Sequence, residues 1–470
     1  MVCRITLFQL TEILTATTLT DFEIPENKLI TGINTDTRNL QSGEGFLALR
    51  GENFDGHNFI KEAIEKGASC VILEQEYTLN NEVEQLSNNV PILRVENSLK
   101  AYQKIARWWR DRFDISVISV TGSVGKTTTK ELIAEVLATQ GQVLKTEANY
   151  NNEIGVPKTL LRLSANDNYA VIEMAMRGPG EIAELTHIAN PTIGLITNVG
   201  TAHIGRLGSV EAIAEAKCEL LREMSNNSIA ILNYDNRRLI ETAAKVWSGE
   251  TFTYGLEGGD LQGTLIDSQT INVEGVDLPL PLPGSHNASN YLAALAVLKV
   301  LHGKNIPTKT LFEPLTNNLL VQLPEGRARR FNLDNDIVIL DESYNAGLES
   351  MIAALNLLAE TPGKRHIAVL GTMKELGDKS ILFHQQVGNV VRNLNIDGLF
   401  ILADFEEAEA MAIGAASLQF IEVEDITADD AHQNLARHLQ EFLQPGDLVL
   451  FKASHSVELN KVVDILIRLC

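Results

Sequence analysis

The chain is short of positive charge, of cysteine and of long apolar runs, and each shortage excludes a class of function. Lysine and arginine number 39 against 61 aspartates and glutamates, so the 470-residue chain carries a net charge of −22. A surface that negative repels nucleic acid and anionic lipid, although it leaves room for a local cationic pocket. Only four cysteines occur, Cys3, Cys70, Cys218 and Cys470, and no two stand at metal-ligand spacing. So sparse a set suits a reducing compartment rather than a disulfide framework. No run approaches the ~20 apolar residues of a spanning helix. The start, Met1-Val2-Cys3-Arg4-Ile5-Thr6, lacks the apolar core of a leader. The expectation is a cytoplasmic monomer with no nucleic-acid partner and no membrane insertion.

What is present is ample core. Hydrophobic residues make up 44% of the chain and charged residues 21%, the balance of a globular protein, and the length suggests about three domains. The most informative stretch is Val117 to Lys130. An apolar, β-branched run ends abruptly in Gly122-Ser123-Val124-Gly125, and Lys126, Thr127 and Thr128 open a helix-forming segment. Strand, glycine turn and helix in that order aim backbone N–H groups and the positive end of a helix dipole at one spot, which favours polyphosphate. Lys126 would reach the β and γ phosphates, and the Thr127 hydroxyl would hold Mg²⁺. The usual pattern has a further glycine where this chain has Val120, so the loop is shortened. An ordinary strand-to-helix turn with a solvated lysine is the competing explanation.

Three regions separate along the chain. Residues 1–112 hold short mixed segments and a helix near Ala101 to Arg112. In residues 113–325, buried-type strands recur at Ile115 to Val120, Tyr169 to Met174, Ile193 to Thr197 and Ile229 to Leu232, with helical stretches between most of them. That is the pattern of a parallel sheet with crossover helices on both faces. Leu261 to Pro283 alternates and carries glycines, as antiparallel hairpins do, and a helix over Asn287 to Leu301 closes the region. Residues 326–470 have strands at Ile337 to Leu340, His366 to Leu370, Leu399 to Leu402 and Leu448 to Phe451. The fold class is α/β in three domains: a small α/β N-terminal domain, a central phosphate-loop-type parallel sheet, and a Rossmann-like C-terminal domain. Ligands of open α/β sheets sit beyond the carboxyl ends of the strands, where the third region can close over a nucleotide.

Polar residues stand at those strand ends. Glu173 ends Tyr-Ala-Val-Ile-Glu, and His203 follows Thr-Asn-Val-Gly-Thr-Ala. A carboxylate and an imidazole beside a phosphate loop suit a second divalent cation; alone, each reads as a solvent-facing or capping residue. Lys217 lies in an obvious helix, and its spacing alone reads as a surface lysine. The polar turn Asn149-Tyr150-Asn151-Asn152 could bind sugar, phosphate or peptide, or simply form a turn. Asn287 and Asn290 are three apart and share a helix face. Their amides could meet an adenine edge or cap the helix.

The ordered set resembles the Mur ligases, ATP-dependent amide-forming enzymes of peptidoglycan synthesis. It comprises Thr-Gly-Ser-Val-Gly-Lys-Thr-Thr at 121–128, Asn-Tyr-Asn-Asn-Glu-Ile-Gly at 149–155, Glu173, Thr-Asn-Val-Gly-Thr-Ala-His at 197–203 and Ala-Lys-Cys-Glu-Leu at 216–220. His-Asn-Ala-Ser-Asn at 286–290, Gly-Arg at 326–327 and Asp-Glu-Ser-Tyr-Asn-Ala at 341–346 follow. Asn-Asn-Glu-Ile-Gly-Val-Pro and Val-Leu-Gly-Thr-Met-Lys-Glu-Leu-Gly at 369–377 are most similar to the branch that joins D-Ala-D-Ala to UDP-N-acetylmuramoyl-tripeptide.

The resemblance implies roles. Asp36, Thr37, Arg38 and the stretch Gly51 to His57, including Asp55, would hold the UDP-sugar in the N-terminal domain. Gly122, Ser123, Val124, Gly125, Lys126, Thr127 and Thr128 would bind the ATP phosphates, Asn287 and Asn290 the adenine, and Arg327 and Asp341 the phosphates and ribose. Thr127 and Glu173 would ligate Mg²⁺, with His203 on a second ion. Lys217 matches the family's carbamoylated lysine, which sets aside its surface reading. Asn149, Asn151, Asn152, Tyr344 and Asn345 would meet the peptide substrates. The family departs here at Gly347-Leu348, Thr372, Ala175 and Lys452-Ala453-Ser454-His455, the last replacing an arginine fork by histidine. A sister ligase adding a different amino acid, and a non-catalytic nucleotide-gated scaffold, are the competing functions.

Overall fold

Apolar, β-branched runs broken by glycine become parallel strands, because a strand covered on both faces needs no polar alternation. The computed structural model describes residues 3–18, 27–51, 54–86, 90–303, 306–317 and 319–469. Its central sheet has nine strands. From one edge they run Val276–Pro279, Thr270–Val273, Leu261–Leu265, Glu250–Gly255, Ile229–Asn233, Ile193–Ile196, Ser116–Thr121, Tyr169–Glu173 and Val143–Lys145. All neighbouring pairs are parallel except the two hairpins at the first edge. Those hairpins are the ones expected over Leu261 to Pro283, and they extend the sheet rather than forming one of their own.

Two central strands were not expected. Val143–Lys145 is too short to show a run, and Glu250–Gly255 opens on two exposed residues and carries Thr251 and Thr253 where a continuous apolar run was the signal. Val120 sits inside its strand, opposite Glu173 and Leu195, with no exposed surface. A glycine there would weaken a fully paired strand, so the shortened loop follows from a strand that runs one residue further, to Thr121.

The helix Ser285–His302 is apolar around most of its circumference because it is covered twice. One side lies on the sheet and another on the helix Lys126–Ala138. This covering fixes the helix that follows the phosphate loop.

The third domain is a six-stranded sheet ordered Arg329–Asn332, Val338–Asp341, Leu448–Lys452, His366–Gly371, Gly398–Ala403 and Ile421–Asp425. Only the first pair is antiparallel. The two outer strands, Arg-Arg-Phe-Asn and Ile-Glu-Val-Glu-Asp, carry charge and were missed for that reason. Charged edges are how sheets avoid pairing with other chains.

In the N-terminal domain a five-stranded sheet orders Thr17–Thr18, Ile92–Val95, Cys70–Glu74, Gly45–Leu47 and Ile33–Asn34. The helix Ser98–Arg110, capped by Asn97, joins this domain to the central one. Arg110 donates to the carbonyls of Ala189 and Asn190 at 2.9 and 3.0 Å, and Trp109 Nε1 donates to Leu163 O at 3.1 Å. One continuous apolar cluster runs from Cys3 and Leu10 through Ile172 and Leu220 to Leu370 and Leu450, so the three domains share a core.

Candidate active site

Register brings the site together. Glu173 pairs with Val120 and Ile196 with Thr121, so three neighbouring strands end side by side at one edge of the central sheet. Gly122, Glu173 and Thr197 emerge there. Gly122 has φ +152, and a Cβ on it would lie 1.9 Å from Thr197 Oγ1. Gly125 has φ +83, and its Cβ would lie 2.6 Å from Asn290 Oδ1. Only glycine fits either position.

The loop is held from beneath by one asparagine. Ser123 N–H donates to Asn198 O at 3.0 Å, and Val124 N–H donates to Asn198 Oδ1 at 3.0 Å. Asn198 Nδ2 returns a bond to Val124 O at 3.0 Å, and Thr197 Oγ1 donates to the same carbonyl at 2.7 Å. The Ser123 and Val124 amides, expected to face phosphate, are therefore already occupied. The first-turn N–H groups of Lys126, Thr127 and Thr128 have no intrahelical carbonyl to reach. These are the amides a phosphate group would meet.

Glu173 is buried. Its Oε1 accepts from Thr127 Oγ1 at 3.2 Å and from Asn151 Nδ2 at 2.8 Å, while Oε2 has no partner. A buried carboxylate oxygen with no donor is costly. With the Thr127 hydroxyl beside it, the carboxylate offers hard oxygen donors of the kind that suit Mg²⁺.

Two lysines, the half-buried Lys126 and the buried Lys217, converge on the loop. Lys126 Nζ donates to Gly122 O at 2.8 Å and more weakly to Ser123 O at 3.3 Å. Lys217 Nζ donates to the same Gly122 O at 2.9 Å. Burial lowers the pKa of Lys126, against the opposing pull of Glu173. Burial, and then the charge of Lys126, drive Lys217 well below its usual value. Lys217 is 1% exposed, so its spacing-based reading as a surface lysine is wrong. A helix period shows which residues share a face. It does not show that the helix Val210–Lys217 ends against the phosphate loop.

The third domain closes the other side. A cavity of about 790 Å³ lies between the two domains, lined by the phosphate loop, Thr127, Thr128, Asn149, Asn151, Glu173, His203, Asn287 and Asn290 from the central domain. From the third domain come Arg327, Glu342, Tyr344, Asn345, Lys452 and His455. The Arg327 guanidinium lies 4.2 Å over the Tyr344 ring, with its Nε buried and unpartnered. Lys452 Nζ donates to Asn345 O at 3.0 Å, and burial lowers its pKa.

Three family models match in chain order: the Mur ligase family catalytic domain over residues 29–110, the Mur ligase middle domain over 120–298, and the Mur ligase glutamate ligase domain over 326–455. The chain belongs to the Mur ligase family. It is 54% identical to the UDP-N-acetylmuramoyl-tripeptide–D-alanyl-D-alanine ligase of Synechocystis, over 98% of this chain and 97% of that protein. Among solved structures it is similar to MurF from Acinetobacter baumannii, with a TM-score of 0.86, 30% identity and 99% of each chain covered. MurF from Thermotoga maritima in complex with ADP gives a TM-score of 0.79 and 29% identity, over 93% of this chain and 97% of that one.

This Mur ligase distributes its expected site residues unevenly. Asn287 and Asn290 do share a face: Asn290 Nδ2 donates to Asn287 Oδ1 at 3.3 Å, and Asn290 Oδ1 accepts from Thr129 at 3.2 Å. Asp341 does not line the cavity. Its Oδ1 is occupied by the N–H and hydroxyl of Ser343, at 3.1 and 2.5 Å, and Glu342 faces the cavity instead. Successive residues of an extended strand point to opposite faces, so a one-residue difference decides which acid is presented. Asn152 is spent on the turn, accepting from Gly155 N–H at 2.9 Å, and does not line the cavity either. His203 does line it, in a left-handed conformation at φ +67, with Nδ1 held at 2.5 Å by Glu375 of the third domain.

The N-terminal group stands apart from this cavity. Arg38 forks onto Asp36 at 2.9 and 2.7 Å. Thr37 is buried, and its carbonyl accepts from Lys66 at 2.8 Å. Gly51 N–H donates to Phe54 O at 2.7 Å, while Glu52 and Asn53 lie outside the described residues. His57 is buried with both ring nitrogens in use: Nε2 accepts from Glu74 N–H at 3.2 Å, so Nδ1 carries the proton toward Asp55 at 2.6 Å. His57 holds its loop in place. Asn198, His286, Glu342 and Lys452 line the cavity without having been singled out. All four lay inside the quoted boxes, but which residue of each box faces the cavity was settled only when strands and helices from two domains were brought together.

Proposed function

We propose that this chain joins D-alanyl-D-alanine to UDP-N-acetylmuramoyl-tripeptide at the expense of ATP, in the cytoplasm, with Mg²⁺ and a carbamoylated Lys217. The observation that carries the reaction class is the single cavity in which the phosphate loop and Glu173 face Arg327, Tyr344 and Lys452 across the domain boundary. The substrate pair rests on near-complete coverage of relatives that carry that name. No helix among the described residues is long and apolar enough to cross a membrane.

A carboxylate is a poor acylating agent because its leaving group would be oxide. Transfer of the γ-phosphoryl group from ATP converts it to an acyl phosphate, the dipeptide amine attacks the carbonyl, and phosphate leaves. The residues contribute position and charge. The N–H groups of Lys126, Thr127 and Thr128 orient the phosphates, and Lys126 supplies positive charge at the loop. Thr127 and Glu173 would hold Mg²⁺, which neutralises charge on the phosphates when bound. Burial and the charge of Lys126 lower the pKa of Lys217 and so favour the uncharged amine, the form that is nucleophilic toward CO₂. Carbamoylation would remove the repulsion between Lys217 and Lys126 and add an anion beside the metal set. Of the third-domain groups that line the same cavity, Arg327 would reach the ATP phosphates and Tyr344 and Asn345 the incoming dipeptide. The three domains are taken as residues 1–112, 113–325 and 326–470, with the UDP-sugar on Asp36 to Arg38 and Gly51 to His57.

Phosphate release from ATP, measured with the tripeptide precursor with and without D-Ala-D-Ala, tests the assignment. Release that needs both, with a pentapeptide product by mass, is expected. Release only with another amine would move the chain to a sister ligase. ATP binding without turnover on any amine would leave a scaffold.

A further inference from the structure

The segment Thr197 to Leu207 is held from two directions. On one side it supports the phosphate loop, through Asn198 on the backbones of Ser123 and Val124 and through Gly200 N–H, which donates to Ser123 Oγ at 2.9 Å. On the other side two carboxylates of the third domain grip it. Glu349, on the helix Leu348–Glu360, accepts from Thr201 N–H at 2.7 Å and from its hydroxyl at 3.0 Å. Glu375 holds His203 Nδ1 at 2.5 Å and Arg206 at 3.1 Å, and its carbonyl accepts from Gly205 N–H at 3.0 Å.

The two backbones touch at this point. A Cβ on Gly205 would stand 2.5 Å from Gly377 N, and one on Gly377 would stand 2.9 Å from Gly205 Cα. His203 at φ +67, Glu375 at +64 and Gly377 at +54 are all left-handed. Histidine and glutamate keep that conformation only where their surroundings enforce it. The carboxylate also orients the imidazole: a hydrogen bond on Nδ1 fixes the ring and turns Nε2 away from Glu375, the arrangement in which a carboxylate orients a ligating histidine.

We propose that Glu349 and Glu375 are positioning residues that couple docking of the third domain to the shape of the phosphate loop. When the third domain docks, the two carboxylates fix Thr197 to Leu207, and Asn198 and Gly200 pass that order to Gly122–Gly125. Neither glutamate bonds the loop directly; both act through the intervening segment. The inference rests on residues 121–128 being the phosphate loop. It does not depend on which amine is the acceptor.

The test is hydrogen–deuterium exchange on the full chain without nucleotide, comparing the parent with the Glu349→Gln/Glu375→Gln double variant. Exchange is expected to rise both in 197–207 and in 122–128, with exchange in the N-terminal sheet at 70–74 and 92–95 unchanged. Coupling is reciprocal, so ADP should protect 371–377 in the parent and not in the double variant. In turnover, kcat should fall roughly ten- to hundredfold, the range for partners that orient a functional histidine, while the KM for the tripeptide precursor stays within about twofold. Glu375→Asp should restore part of it.

Faster exchange confined to 200–207, with 122–128 as protected as in the parent, would overturn the coupling and leave only a docking contact. If the double variant does not fold, Gly205→Ala forces the same backbones apart while keeping both carboxylates, and the same pattern is required of it. Because these readouts need no acceptor, loss of the substrate assignment and loss of the coupling are told apart.

Discussion

Lys126 and Lys217 donate to one oxygen, the carbonyl of Gly122, at 2.8 and 2.9 Å. Two amines brought to one acceptor in a buried site cannot both carry charge cheaply, because the repulsion is weakly screened there. The pair therefore favours whatever neutralises Lys217, and this has consequences that can be measured.

The first is the pH dependence of stability. Burial lowers the folded pKa of Lys217 well below its unfolded value of 10.5. Between the two values the unfolded chain binds the extra proton, so stability rises with pH across that window. In CO₂-free buffer, the melting temperature should climb more steeply toward pH 10 in the parent than in Lys217→Met. Equal slopes would mean that Lys217 is charged in the folded state.

A second expectation concerns carbamoylation. Lys217→Ala should lose activity and regain part of it when short carboxylic acids are added, since a small carboxylate can occupy the space of the carbamate. No rescue by any acid, in a variant that still binds ADP, would count against an anion at this position.

Lys126→Ala should remove charge stabilisation on the order of 3 kcal/mol, roughly a hundredfold or more in kcat, with the melting temperature little changed. Full turnover in this variant would refute the assignment of the phosphate site.

Gly122→Ala should be worse than its size suggests. Its methyl group would meet Thr197 Oγ1 at 1.9 Å, at a φ of +152, so overpacking of about 1–3 kcal/mol is expected, together with loss of nucleotide binding. Thr197→Ser, which keeps the hydroxyl, should not rescue it; recovery of ADP affinity by that second change would locate the fault elsewhere.

Arg327→Lys should not be conservative. The guanidinium stacks on Tyr344 at 4.2 Å, and lysine offers neither the plane nor the fork. Activity should fall by about tenfold, in line with a coupling of ~1–2 kcal/mol. Tyr344→Phe, which keeps the ring, should stay near the parent value. A steady-state comparison of the two variants with the parent separates ring stacking from the hydroxyl.

Much of the molecule was legible in the order of its residues. Strand, glycine turn and helix at 116–138 follow from local rules, since β-branched runs pair, positive φ needs glycine, and a helix mouth attracts anions. The parallel strands at 169–173, 193–196 and 229–233 announced themselves as apolar runs, whereas Glu250–Gly255, Arg329–Asn332 and Ile421–Asp425 did not, because their exposed sides are polar. The boxes at 149–155 and 197–203 marked segments that both line the interdomain cavity. What each side chain does once there was decided by neighbours distant in the chain. The Ser123 and Val124 amides are spent on Asn198, Asp341 turns away while Glu342 faces the cavity, His57 is closed in by Asp55 and Glu74, and Lys217 is buried rather than exposed. Local sequence determines backbone preference and the period of a face. The partners of a polar group, and the dielectric around it, exist only after strands from three regions have been brought to one edge.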